Sequence, residues 1–220
     1  MKSLIVGFLV FLIASGVSAN ENRDIEGMLY TQKIPDSLWL RIRSEIQSMD
    51  RENCIQWKDK AGRTRKTFEF GYSFKEIEKN RQVVKYDIPS FLVEARRQIV
   101  DIFKEQLHEK DPEKYENCII TFYSEGDGIK AHTDKRYFGP DILGVIITPD
   151  TATDGEGSSS NLYFTKDSEK PIVLSEEAGM AYLITGELRT LWQHQLDPVA
   201  TERVSIQFRT IDTEILDSYL

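Results

Sequence analysis

The run Tyr123-Ser-Glu-Gly-Asp-Gly-Ile-Lys-Ala-His132-Thr-Asp134 decides how the rest of this chain is read. It begins at the end of an apolar strand-like segment, Cys118-Ile-Ile-Thr-Phe-Tyr123, turns at Gly126 and Gly128, and ends on a His-x-Asp pair. Residues two apart on a strand share a face, so His132 and Asp134 present an imidazole and a carboxylate side by side. The chain holds three histidines, which keeps the search for a third donor short. His108 falls in the last turn expected of a helix, without a ligand-type neighbour, where a positive ring suits the helix C-terminus. His194, in Leu191-Trp-Gln-His, precedes a second alternating strand and is the better partner. Two histidines and one carboxylate, with coordination positions left open opposite them, are a donor set suited to Fe(II).

From Asn117 onward, short strands alternate with Gly, Asp and Pro turns. Strands are expected near 118–124, 130–134, 142–148, 161–165, 171–174, 180–185, 190–195 and 202–210. Eight short strands in this spacing predict a jelly roll: an α+β, mainly β chain with a double-stranded β-helix, cupin-like core. In Arg203-Val-Ser-Ile-Gln-Phe-Arg209, the residues Arg203, Ser205, Gln207 and Arg209 share one face and Val204, Ile206 and Phe208 the other. Read blandly, this is a half-buried strand with a wet polar face. Two arginines in register just after the third metal donor fit another purpose, the bidentate capture of carboxylates. Iron beside a dicarboxylate suggests 2-oxoglutarate. By the same alternation Thr121 and Tyr123 share a face and Cys118 takes the other, which puts Cys118 outside the site.

Upstream of these strands, Ile34-Pro35-Asp36 opens an amphipathic helix bearing Leu38, Ile42, Ile46 and Met49. Ile88-Pro89-Ser90 caps a second, with Phe91, Ala95, Ile99, Ile102 and Phe103 on one face. Both are expected to pack on one sheet of the β core. Between them, Trp57-Lys-Asp-Lys-Ala-Gly-Arg-Thr-Arg-Lys66 carries five positive charges against one negative. It leads into a strand with alternating Phe68, Phe70, Tyr72 and Phe74. The Gly- and Ser-rich stretch from Asp150 to Ser160 is expected to be a flexible connection.

At the N-terminus, Lys2, the apolar run Leu4 to Ala14 and Val17-Ser18-Ala19 have the form of a secretory signal peptide cleaved after Ala19. The apolar run is shorter than the roughly 20 residues of a spanning helix, so no transmembrane segment is expected in the mature chain. Residues 20–220 are then one domain, with a core over about 35–210, expected to be a monomer of the secretory route, secreted or lumenal. No Asn-x-Ser/Thr sequon occurs. The net charge of −8 is not that of a nonspecific nucleic-acid binder, although it leaves room for a local basic patch. Cys54 and Cys118 can pair or stay free; two cysteines exclude a Cys-rich zinc framework.

These motifs together resemble the AlkB family of Fe(II)/2-oxoglutarate-dependent dioxygenases. That family carries His-x-Asp, a distal His, and Arg-x-[Asn/Ser]-x-x-x-Arg, matched here by His132-Thr-Asp134, His194 and Arg203-Val-Ser205-Ile-Gln-Phe-Arg209. Glu125-Gly-Asp-Gly-Ile, Gly186-Glu-Leu-Arg-Thr-Leu-Trp-Gln-His194, Phe70-Gly-Tyr72 and Ile88-Pro-Ser-Phe-Leu92 extend the match over roughly residues 35 to 210. The resemblance implies that His132, Asp134 and His194 hold Fe(II), and that O2 and 2-oxoglutarate are co-substrates. It implies that Arg203 and Tyr123 take the distal carboxylate of 2-oxoglutarate. Arg209 is implied to stand near the chelating end and Asp134, with Ser205 where the family has Asn or Ser. Thr121 stands where the family commonly has Asn; its shorter reach implies weaker co-substrate binding. The implied reaction is oxidative decarboxylation of 2-oxoglutarate to succinate and CO2, coupled to hydroxylation of a C–H bond. On an N-methyl group it ends in loss of formaldehyde.

The family's usual substrates are N-alkylated bases of DNA or RNA, presented unstacked against an aromatic wall. The surface expected to serve here is a lid of Trp57, Lys58, Arg63, Arg65, Lys66, Phe70 and Tyr72. The acidic chain and the leader-like N-terminus favour instead a protein hydroxylase or demethylase of the secretory route. Collagen-type prolyl hydroxylases use a Lys for 2-oxoglutarate, which Arg203 and Arg209 argue against. A third reading, a non-catalytic binding module, sits poorly with a complete ligand set and both arginines.

Overall fold

A computed structural model of the chain describes residues 28–60, 62–148 and 161–220. The leader-like segment and the connection from 150 to 160 lie outside the described residues.

Two antiparallel sheets make up the core. The larger orders its strands β1 (Leu29–Lys33), β10 (Met180–Ile184), β7 (Phe138–Thr148), β12 (Arg203–Ile211), β5 (Asn117–Tyr123), β3 (Thr64–Tyr72) and β2 (Ile55–Lys58), with the short β4 (Lys85–Tyr86) also on β3. The smaller runs β6 (Ile129–His132), β11 (Gln193–Leu196), β8 (Asn161–Thr165), β9 (Ile172–Ser175). This is the mainly β jelly roll expected, with both sheets assembled from strands distant in sequence.

Helices α1 (Asp36–Gln47) and α2 (Ser90–Ile102) cover the outer face of the large sheet. Their apolar stripes, Leu38, Ile42 and Ile46 on one and Leu92, Ala95, Ile99 and Val100 on the other, share a cluster with Cys118, Ile120, Phe122, Val204, Ile206 and Phe208. Pro35 and Pro89 take the cap positions, so Ser90 is the first helical residue rather than the cap. A proline's fixed φ suits the entry to a helix, which needs no side-chain acceptor to begin there. The second helix also ends earlier than its sequence suggests, and His108 lies beyond it. There its backbone N–H and Nδ1 meet the buried Asp141 carboxylate at 2.7 and 2.8 Å, far from any metal-binding role.

Three further differences have local causes. Gly186 adopts φ +57°, and a short helix α3 (Gly186–Thr190) delays the strand expected from 190 until Gln193. The polar opening forms β1 by pairing with β10, an edge that sequence periodicity did not reveal. In β3 the aromatic face is turned away from the cavity: Phe68 and Phe70 pack with the helices. The helices supply the apolar partners those rings need, so the polar face, with Thr67 and Glu69, takes the other side. Cys54 and Cys118 are both free thiols.

Candidate metal and co-substrate site

Strand alternation places the site residues. On β12, the face opposite the helices carries Arg203, Ser205, Gln207 and Arg209; on β5 it carries Asn117, Ile119, Thr121 and Tyr123. The register aligns them in cross-strand rows: Arg203 opposite Tyr123, Ser205 opposite Thr121, Thr121 opposite Thr67, and Ile119 opposite Glu69. These rows form one wall of a cavity of about 330 Å³ that the smaller sheet closes from the other side.

His194 on β11 is the direct register partner of His132 on β6. Their rings lie 4.3 Å apart between centroids, and the donor atoms of His132, Asp134 and His194 all fall within 4.8 Å of one another. Asp134 lies just past β6, on a segment held from behind by Arg189. That buried guanidinium donates to the carbonyls of Lys135 and Phe138, both at 2.8 Å, of Gly139 at 3.1 Å and of Asp134 at 3.4 Å. Arg189 sits inside the Gly186–His194 motif, but its sequence gave it no role, because its carbonyl partners lie some 50 residues away.

The electrostatics favour a cation. Burial alone would raise the Asp134 pKa, but Arg209, with the two histidines, outweighs it and holds the carboxyl well below the usual range. Burial lowers the His194 pKa to about 3, against the pull of Asp134, and lowers that of His132 in the same way. Both imidazoles therefore offer lone pairs at neutral pH. His132 Nδ1 lies 2.8 Å from the Lys130 carbonyl, which accepts only, so Nδ1 carries the proton and Nε2 is the donor atom. Asp134 Oδ2 and Arg209 Nε face each other at 3.4 Å, buried and without a hydrogen bond among the described residues. A neutral imidazole pair and a carboxylate with an unsatisfied buried oxygen fit a divalent metal such as Fe(II).

Arg203 holds a carboxylate already. Its Nε and Nη2 donate to Glu176 at 2.6 and 2.5 Å, and its Nη1 donates to Ser205 Oγ at 2.8 Å. Arg209 donates from Nη1 to Asn117 at 3.3 Å and from Nη2 to Gln207 at 2.5 Å. Tyr123 and Thr121 both line the cavity beside Arg203. Glu69, unforeseen from sequence, is buried in the cavity wall. Its Oε2 accepts from Ser73 and the Lys75 N–H, while Oε1 has no hydrogen-bond partner among the described residues.

The expected lid divides. Trp57 and Arg65 line the cavity, Trp57 packing on Phe74 at 5.4 Å and donating to Thr67 at 2.9 Å. Lys58, Arg63, Lys66, Phe70 and Tyr72 do not line it. Arg63 donates to the carbonyls of Ile129 and Leu196, tying the hairpin to the small sheet. Phe70 packs on the helical layer, and Tyr72 joins a separate cluster with Ile77, Tyr137 and Leu216. In their place Lys60, Lys130 and Lys135 join Arg65 around the cavity.

No family model and no curated protein matches the sequence. Solved structures do match the fold, which is that of the Fe(II)/2-oxoglutarate oxygenases. A Pseudomonas putida prolyl-4-hydroxylase superposes with a TM-score of 0.59 at 12% identity, over 84% of this chain and 93% of its own. OsALKBH1 superposes with a TM-score of 0.58 at 12% identity, over 86% of this chain and 99% of its own. A Trichoplax adhaerens prolyl hydroxylase, in complex with a hypoxia-inducible-factor peptide fragment, gives 0.58 at 12% identity, over 88% and 87%.

Proposed function

We propose that this protein is an Fe(II)- and 2-oxoglutarate-dependent dioxygenase that oxidises an N-alkyl group on a nucleobase, with release of succinate, CO2 and formaldehyde. The observation carrying the reaction class is the convergence of His132, Asp134 and His194 in a cavity that also exposes two buried arginines. Bound through these three ligands, iron supplies the oxidising chemistry on O2 and 2-oxoglutarate. The chain's own residues bind, orient and shield. Arg203, Tyr123, Ser205 and Thr121 form the polar end of the cavity that takes the distal carboxylate. Arg209 faces Asp134 at 3.4 Å and would stand near the chelating end of the co-substrate.

The nucleobase reading is supported by the basic rim. In a chain of net charge −8, Lys60, Arg65 and Lys130 line the cavity, with Asp59 beside them and Lys135 paired to Glu78 at 2.8 Å, and Trp57 and Phe74 supply aromatic surface within it. Phosphates require the first and an unstacked base the second. The alternative reading, a protein hydroxylase of the secretory route, is favoured by prolyl hydroxylases standing among the structural relatives. On either reading we place the mature protein in the secretory route, after removal of residues 1–19.

The deciding experiment measures succinate and formaldehyde from the iron-loaded protein with methylated DNA, methylated RNA and peptide pools. Formaldehyde from an oligonucleotide supports the first reading, and hydroxylated peptide without formaldehyde supports the second. Absence of succinate in every arm sinks the oxygenase assignment. His132→Ala and Asp134→Ala remove ligands and are expected to abolish turnover.

A further inference from the structure

A guanidinium has five N–H groups, and the way Arg203 distributes them assigns a task to Glu176. Arg203 opens β12 in the large sheet, while Glu176 directly follows β9 in the small one, so their ion pair bridges the two sheets. Both side chains are buried, at 4% and 0% exposure. Arg203 nevertheless lines the cavity and Glu176 does not: the carboxylate grips the guanidinium from outside, along its Nε–Nη2 edge. One Nη1 hydrogen goes to Ser205 Oγ, which also lines the cavity. With the Nε–Nη2 edge taken by Glu176 and one Nη1 hydrogen by Ser205, the Nη1–Nη2 end of the fork is the part of the guanidinium left for a further carboxylate.

We propose that Glu176 is the positioning residue for the co-substrate: it fixes Arg203 so that the end of its fork, not its side, meets the distal carboxylate of 2-oxoglutarate. The inference rests on the dioxygenase reading and adds to it a residue that touches neither metal nor substrate. It has a rival with the opposite sign. Were Glu176 merely a second carboxylate competing for Arg203, removing its charge would strengthen 2-oxoglutarate binding. As a positioning group, its removal weakens binding, because a neutral amide offers a donor where Arg203 needs an acceptor and the fork swings out of place.

The test is calorimetric titration of the full chain, loaded with Mn(II), with 2-oxoglutarate, alongside steady-state kinetics of the iron-loaded protein. Glu176→Gln is expected to weaken binding on the order of tenfold to a hundredfold, as misplacement of a clamp does. KM for 2-oxoglutarate should rise while kcat at saturation changes far less. Glu176→Asp, which keeps the charge with a shorter reach, should fall between, and it carries the same comparison if the Gln variant does not fold. In an Arg203→Lys background the ammonium has no fork to orient, so Glu176→Gln should no longer weaken binding. Unchanged or tighter binding in Glu176→Gln overturns the proposal, as does equal weakening in the Lys background. A wild-type chain that binds no 2-oxoglutarate overturns the dioxygenase reading itself, and this inference with it.

Discussion

Gly144 is the point at which one added methyl group should reach the proposed co-substrate cavity. It lies in the middle of β7, opposite Gln207 on β12 and Tyr182 on β10. The Tyr182 ring lies across it: a Cβ at position 144 would stand 2.0 Å from Cζ and 2.4 Å from both Cε atoms. Ordinary contact begins near 3.4 Å, so Gly144→Ala requires the ring to move by about 1.4 Å. Tyr182 is buried and walls the cavity, with its hydroxyl 3.4 Å from Gln207 Nε2, so the space open to it is the cavity itself. Overpacking of this kind costs about 1–3 kcal/mol. The gain from restricting the unfolded chain returns only about 0.4–1 kcal/mol. At about 2–4 °C per kcal/mol for a domain of this size, the melting temperature should fall by a few degrees, up to about 10 °C. Binding of 2-oxoglutarate should weaken with it. Tyr182→Leu added to Gly144→Ala should recover the melting temperature, whereas Tyr182→Phe, which keeps the ring, should not. Thermal denaturation and 2-oxoglutarate titration of the four proteins decide the matter. A Gly144→Ala protein with wild-type melting and wild-type affinity would refute the reasoning.

Other expectations follow from the same geometry. In metal-free protein, His194 refuses a proton that the unfolded chain accepts below its ordinary pKa, so stability should fall as pH drops from about 6.5 toward 3. By pH 5 the loss is on the order of 2 kcal/mol, and melting curves of wild type and His194→Gln in chelator should converge as the pH falls; parallel curves would contradict it. Asp134 adds to the same trend at lower pH: its pKa is lowered too, so its contribution is complete above the ordinary carboxylate range and is lost as the pH falls through that range toward the lowered value. Arg189→Met frees the segment that carries Asp134 and is expected to weaken Mn(II) binding about 10- to 100-fold, measured by titration. Charge reversal at Arg65 and Lys130 should weaken oligonucleotide binding and flatten its salt dependence, while reversal at Lys66, away from the cavity, should do much less. Equal effects at all three would place the binding surface elsewhere.

What the sequence determined by itself was the alternation. A period of two dictates that Arg203, Ser205 and Arg209 share a face with each other and that Cys118 is turned from Tyr123; Asp134 joins His132 from just past β6, on the segment that Arg189 holds. The fold and the convergence of the three donors were legible from that pattern and from the motif spacing. Alternation does not say what a face looks at. In β3 the aromatic side met the helices and the polar side met the cavity, so Phe70 left the expected lid and Glu69 entered the wall. Nor does it say which charges meet across sheets. Glu176 is 27 residues from Arg203, and the carbonyls held by Arg189 lie 50 or more residues away. Such pairs form because burial leaves a charge or a carbonyl no water to turn to, and the partner is whichever group the closing sheets bring within reach. That choice belongs to the tertiary structure, and it fixes the orientation of the arginine on which the proposed co-substrate site depends.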